Sequence, residues 1–227
     1  MNILFWDIDG TLIRTSKAGL YAISQAVESI WGQEADFDKI QTAGMTDNYI
    51  CQQVIRSIAG REPSAEEIAA LCRHYETLLH EQLASRVGIV LPSVREILDR
   101  LHGRDDCRLL LLTGNSRKGA QIKLDYFGLN TYFDFSRSAF AEQHYRRVDI
   151  ARFAAAIVQD SWGDPRQHKL FVLGDTPHDI ECGKAIGAHT IGIATGNYSF
   201  QQLEQCCPWW TVEALPAVDE FIDKVTS

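Results

Sequence analysis

Four short apolar runs limit what this chain can fold into more than any other feature. They are Ile3–Trp6, Leu109–Leu112, Leu170–Leu173 and Thr190–Ala194, and each ends at a polar residue or glycine. Their lack of strict alternation marks strands buried on both faces, as in a parallel sheet covered by helices on either side. Tyr132–Phe135 is a shorter fifth candidate. Helical periodicity fills the gaps. Val94, Ile97, Leu98 and Leu101 recur at helical spacing and stop at Gly103. Thr176 as N-cap and Pro177 at the first helical position predict a helix to Ala188, with Gly187 at its end. Ala214–Lys224 predicts a last helix. Strands alternating with helices give the α/β class with a doubly wound parallel sheet.

Residues 15–90 break this rhythm. Leu20, Ile23, Val27 and Ile30 mark one amphipathic helix, and Ile50, Val54, Ile55 and Ile58 a second ending at Gly60. Ile68, Leu71, Tyr75, Leu78 and Leu79 mark a third, opened by Ser64 with Glu67 as a capping box. The expected organisation is a core of residues 1–14 and 91–227 with an all-helical insert at 15–90.

Charge and cysteine usage narrow the function. With 22 basic and 30 acidic residues the formal net charge is −8, which argues against nucleic acid and anionic membrane surfaces as partners. Six cysteines form no C-x-x-C pair and no zinc-like spacing. A chain of 227 residues can build its core without disulfides, so a reducing, cytoplasmic location is expected. Neither a signal peptide nor a membrane span is expected.

The strand ends carry the chemistry. The first runs into Asp7-Ile8-Asp9-Gly10-Thr11. Alternation points the two carboxylates the same way, where they repel unless a cation or proton intervenes. A turn that merely ends the strand is the plainer alternative. Leu109–Leu112 runs into Thr113-Gly114-Asn115, whose hydroxyl and backbone N–H groups suit a phosphate at a helix start, or simply an N-capped turn. Leu170–Leu173 runs into Gly174-Asp175-Thr176-Pro177-His178-Asp179, where Asp179 also fits a capping box. In an open α/β sheet, ligands bind beyond the carboxyl ends of the strands. An oxygen-rich acidic cluster there favours Mg2+.

These strings, in this order and spacing, resemble the first, second and fourth motifs of the haloacid dehalogenase superfamily. The helical segment after the first motif resembles the capped subgroup that includes phosphoglycolate phosphatase and β-phosphoglucomutase. The resemblance implies an aspartyl-phosphate mechanism. Asp7 is then the nucleophile and Asp9 the general acid and base. Mg2+ is held by Asp7, Asp175 and the Asp9 carbonyl, and Asp179 orients metal-bound water or the third-motif cation. Gly10, Thr11, Thr113, Gly114 and Asn115 are the implied phosphate-binding positions. The family's third-motif Lys is absent from His144–Arg152, so Arg147 is expected in its place, with Arg146 as fallback and both as exposed first-turn residues otherwise. Ala43-Gly44-Met45-Thr46-Asp47 resembles the cap loop that faces substrate, although Thr46 also reads as an N-cap. A Mg2+-dependent phosphatase of small phosphorylated metabolites is the leading expectation. A phosphomutase shares all these residues, and a catalytically idle binding protein on the same fold is the third possibility.

Overall fold

The computed structural model describes residues 1–141 and 144–226; Glu142, Gln143 and Ser227, all within the expected core span, lie outside the described residues. Along the chain, β1 (Asn2–Trp6) is followed by β2 (Ile13–Arg14), α1 (Ala18–Trp31), α2 (Asp47–Ala59), α3 (Ala65–Ala84) and β3 (Ile89–Val90). Then come α4 (Val94–Leu101), β4 (Cys107–Leu111), α5 (Arg117–Tyr126), α6 (Arg147–Trp162) and β5 (Lys169–Gly174). The chain closes with α7 (Pro177–Ala185), β6 (His189–Ile193), α8 (Phe200–Gln205), β7 (Trp210–Val212) and α9 (Val218–Thr226).

Five strands form one parallel sheet in the order β4-β1-β5-β6-β7. The apolar runs are buried on both faces, as their composition requires. Leu4 and Trp6 of β1 join one core cluster, while Ile3 and Phe5 join a second with Ile150, Ala154 and Val158 of α6. Each such side chain contributes about 1.5–3 kcal/mol by leaving water. Register matters more for function: Trp6 pairs with Leu111 on one side and Leu173 on the other. The first, second and fourth motifs therefore leave the sheet side by side.

The chain departs from the sheet through β2 and returns through β3, which pair antiparallel with Ile13 opposite Val90. Between them lie α1, α2 and α3. Ser64 and Glu67 form the expected capping box, and Gly60 ends α2 in the left-handed conformation. The fifth strand is β7, not Tyr132–Phe135. The latter begins inside a short 3-10 turn, Asn130–Tyr132, and does not run on as a strand: Asp134 N donates to Leu109 O at the β4 edge, and Ala139 N, beyond the segment, donates to Leu111 O. Two helix limits also shift. Pro216 holds the last helix back to Val218, and α7 stops at Ala185 rather than Ala188. All six cysteines are free thiols. Among the described residues no helix is long and apolar enough to cross a membrane.

Candidate active site

Asp7, Asp175 and Asp179 each bring a carboxylate oxygen within 4.8 Å of the others. Asp7 follows β1, Asp175 follows β5, and Asp179 sits in the first turn of α7. Arg147, at the start of α6, enters this cluster from the neighbouring face. One guanidinium nitrogen donates to Asp7 Oδ1 at 3.3 Å and the other to Asp179 Oδ1. Arg147 is 7% exposed, whereas Arg146 is the exposed N-cap residue outside the cluster. Burial opposes the charge of Arg147, but Asp179 and Asp7 hold its pKa above the usual range. Asp179 uses its second oxygen to accept from the Thr176 backbone N–H and hydroxyl. Both oxygens are therefore spoken for, and the residue anchors Arg147 and caps α7.

Asp175 differs. Its Oδ1 is buried with no hydrogen-bond partner among the described residues. Burial, then the charges of Asp179 and Asp7, push its carboxyl up to about 9. Burial also pushes Asp7 up to about 7, with Asp179 and Asp9 adding to it and Arg147 and the Thr113 hydroxyl working against it. Gly10, at φ +85°, and Gly196 close over Asp175; a Cβ at either would overlap its carboxylate. Three carboxylates face one guanidinium here, a deficit of two positive charges in a low-dielectric site. An orphaned buried oxygen in an all-oxygen donor set fits a hard divalent cation such as Mg2+.

Asp9 takes a different direction. The chain turns after Asp7, with Gly10 N donating to Ile13 O, so strand alternation does not govern its carboxylate. Oδ2 accepts from Lys123 Nζ at 2.5 Å and Asn115 Nδ2 at 3.0 Å. Its side chain is therefore not part of the acidic cluster, and only its carbonyl is left for the metal role. Asn115 also donates to Thr113 Oγ1 and accepts from Lys123. Its side chain is thus engaged internally. Lys123, on α5, is 6% exposed. Burial works against its charge, yet Asp9 and Asp47 raise its pKa. It escapes notice in the sequence; the available signal is one Lys on the helix face shared with Gly119, Ala120 and Leu124.

A cavity of about 540 Å3 opens over both groups and is lined by Asp7, Asp9, Arg147, Asp175, Asn115 and Lys123. Its far wall is built by α1 and the loop before α2, including Leu20, Ile23, Gly44, Met45, Asp47 and, from α3, Tyr75. This wall is tied to the sheet side. Asp47 N donates to Gly114 O at 2.8 Å, and its carboxylate accepts from Ser116 N and from the Tyr75 hydroxyl. Gly114 is required by this closeness: a Cβ would press on Met45 O and on Arg147.

Three expected phosphate-binding positions do not reach the cavity. Thr46 is 1% exposed; its hydroxyl accepts from Tyr49 N and donates to Tyr145 O, so it caps α2. Thr11 and Thr113 are fully buried. Thr113 instead supports Asp7 and Asn115, and the Thr11 hydroxyl has no partner. Gly10, Gly114 and Asn115 do line the cavity.

Comparison with known proteins agrees with this geometry. The family model for haloacid dehalogenase-like hydrolases matches residues 3–193. A probable phosphatase, IndB, of Dickeya dadantii (strain 3937) is 24% identical over 223 residues, spanning 95% of this chain and 91% of that protein. The pyrophosphatase PpaX of Bacillus pumilus (strain SAFR-032) is 23% identical over 201 residues, spanning 86% of this chain and 83% of its own. The crystal structure of a predicted phosphoglycolate phosphatase from Haemophilus somnus superposes with a TM-score of 0.70 at 20% identity, covering 99% of this chain and 97% of that one. With its motifs level at one sheet edge and the family model spanning most of its length, this chain belongs to the haloacid dehalogenase-like hydrolases.

Proposed function

We propose that this protein is a Mg2+-dependent phosphatase of small phosphomonoesters. The observation that carries the proposal is the clustering of Asp7, Asp175 and Asp179 around Arg147 beneath a cavity that Asp9 also lines. Relatives with phosphatase and pyrophosphatase names support the phosphoryl class. Residues 15–90 are the cap in this proposal, and they supply the far wall that would bound the leaving group.

Asp7 attacks phosphorus in line. The P–O ester bond breaks and an aspartyl-phosphate forms. Asp9 gives its proton to the departing oxygen, then takes one from the water that cleaves the intermediate, releasing phosphate and restoring Asp7. Arg147 holds Asp7 in place and, with the backbone at Gly114 and Asn115, receives charge on the phosphoryl oxygens. Asp7, Asp175 and the Asp9 carbonyl would hold Mg2+, which would supply positive charge against the repulsion between carboxylate and phosphate.

The test is phosphate release from a panel of phosphomonoesters, with and without Mg2+. Release that depends on Mg2+ and falls by at least about a thousandfold in Asp7→Asn is expected. Undiminished turnover by Asp7→Asn overturns the mechanism. Isomerisation of a sugar phosphate without phosphate release would point to phosphomutase chemistry.

A further inference from the structure

Lys123 is a buried cation for which the motifs provide no role. Its α5 face is otherwise made of Gly119, Ala120 and Leu124, where an apolar side chain avoids the cost of burying charge. Its Nζ donates to Asp9 Oδ2 at 2.5 Å and to Asn115 Oδ1 at 2.6 Å. Asn115 in turn donates through Nδ2 to the same Asp9 oxygen at 3.0 Å, and to Thr113 Oγ1 at 2.9 Å. Two donors therefore fix Oδ2. Among the described residues Oδ1 has only the Thr15 hydroxyl, at 3.5 Å, which is at the limit of a hydrogen bond. The Asp9 side chain remains 40% exposed, toward the cavity it lines.

We propose that Lys123, acting with Asn115, is a positioning residue that pins Asp9 Oδ2 and so commits Oδ1 to proton transfer with the leaving group. The inference rests on the phosphatase reading. As the P–O ester bond breaks, the O–H bond at Oδ1 breaks with it. The proton goes to the departing alkoxide oxygen, and the electron pair stays on Asp9 as carboxylate charge beside Lys123. In the second half, Oδ1 takes a proton from the attacking water while the P–O bond to Asp7 breaks.

A leaving group that needs a proton separates this role from simple scaffolding of α5. Two esters of similar size serve. p-Nitrobenzyl phosphate releases a basic alkoxide, whereas p-nitrophenyl phosphate releases a stabilised phenolate that needs no proton. With Mg2+ present, Lys123→Met is expected to lower kcat/KM for the benzyl ester about 100-fold more than for the phenyl ester, the scale of one general-acid contribution. Lys123→Gln keeps a donor without the charge and is expected to show a smaller differential, about tenfold. The ratio of the two esters within one preparation is independent of the folded fraction, and Lys123→Gln is read if Lys123→Met does not fold. Equal losses on both esters, or no loss, overturn the positioning role while leaving the phosphatase reading intact. A wild type that releases phosphate from neither these esters nor a wider panel overturns the phosphatase reading, and the role of Lys123 with it.

Discussion

The two halves of the site solve the burial of charge in opposite ways. Around Arg147, three carboxylates share one guanidinium, and Asp175 keeps a buried oxygen without a partner. Around Lys123, one ammonium is held between the Asp9 carboxylate and the Asn115 amide, with the buried Asp47 carboxylate also acting on it. The first half has the excess of carboxylate that a divalent cation would relieve, and burial with mutual repulsion raises Asp7 and Asp175 there. The second is complete within the protein and can hold a side chain still. Within one cavity, one group leaves a buried carboxylate oxygen without a partner among the described residues, and the other ties its carboxylate oxygen to two donors.

The contrast is tested most severely at Arg147. Arg147→Met leaves Asp7 and Asp179 uncompensated and should cost about 3–5 kcal/mol, the usual penalty for breaking a buried ion pair. Chemical denaturation measures it. Adding Asp179→Asn should return part of the loss, and no recovery would show that Asp179 is not the carboxylate that Arg147 serves.

A second effect concerns pH. Asp7 and Asp175 are both raised from an ordinary 3.8, to about 7 and about 9. The metal-free fold therefore binds more protons than the unfolded chain across that window. The contribution of these two carboxyls to stability is fully present below about pH 4 and is lost as pH rises through both folded values. A bound divalent cation favours the ionised forms, so the rise in Tm on adding Mg2+ should grow from about pH 5 to about pH 8. Asp175→Asn should flatten the metal-free decline and remove most of the Mg2+ response. An unchanged Mg2+ response in that variant would place the cation elsewhere.

Smaller effects separate capping from binding. Thr46→Ala should lower stability by about 1 kcal/mol through loss of the α2 cap, with turnover per folded molecule retained. A KM that rises without a stability change would return Thr46 to the substrate. Arg146→Ala should change stability by less than about 0.5 kcal/mol, since the side chain is exposed. A loss of turnover there would make it the third-motif cation in place of Arg147.

The Arg147 half was legible in the sequence because its parts lie in short contiguous strings. Ile3–Trp6 and Leu170–Leu173 are each followed within a few residues by their carboxylates, and parallel register with Trp6 opposite Leu173 does the rest. Arg147 was expected there from the resemblance, in place of the family's third-motif Lys. The Lys123 half was not. Nothing near Lys123 in sequence announces Asp9, which is 114 residues away. Packing details were similarly hidden. Ile30 fits the apolar period of α1 yet is 47% exposed, since period alone does not set how far a neighbour extends along a helix face. β7 has only three residues, too few for a pattern.

Local sequence determined the parallel α/β core, the helical segment after β1, and the carboxylates at one sheet edge. These follow from strand burial, helix period and residues adjacent along the chain. Tertiary structure alone decided that Asp7 and Asp9 take different partners, that Thr46 is buried as the cap of α2, and that Lys123 lines the cavity. The reason is that a side chain's charge is compensated by whatever lies within a few ångströms, and for Lys123 and Asp9 that neighbour is set by how α5 packs, against α3, rather than by adjacency along the chain.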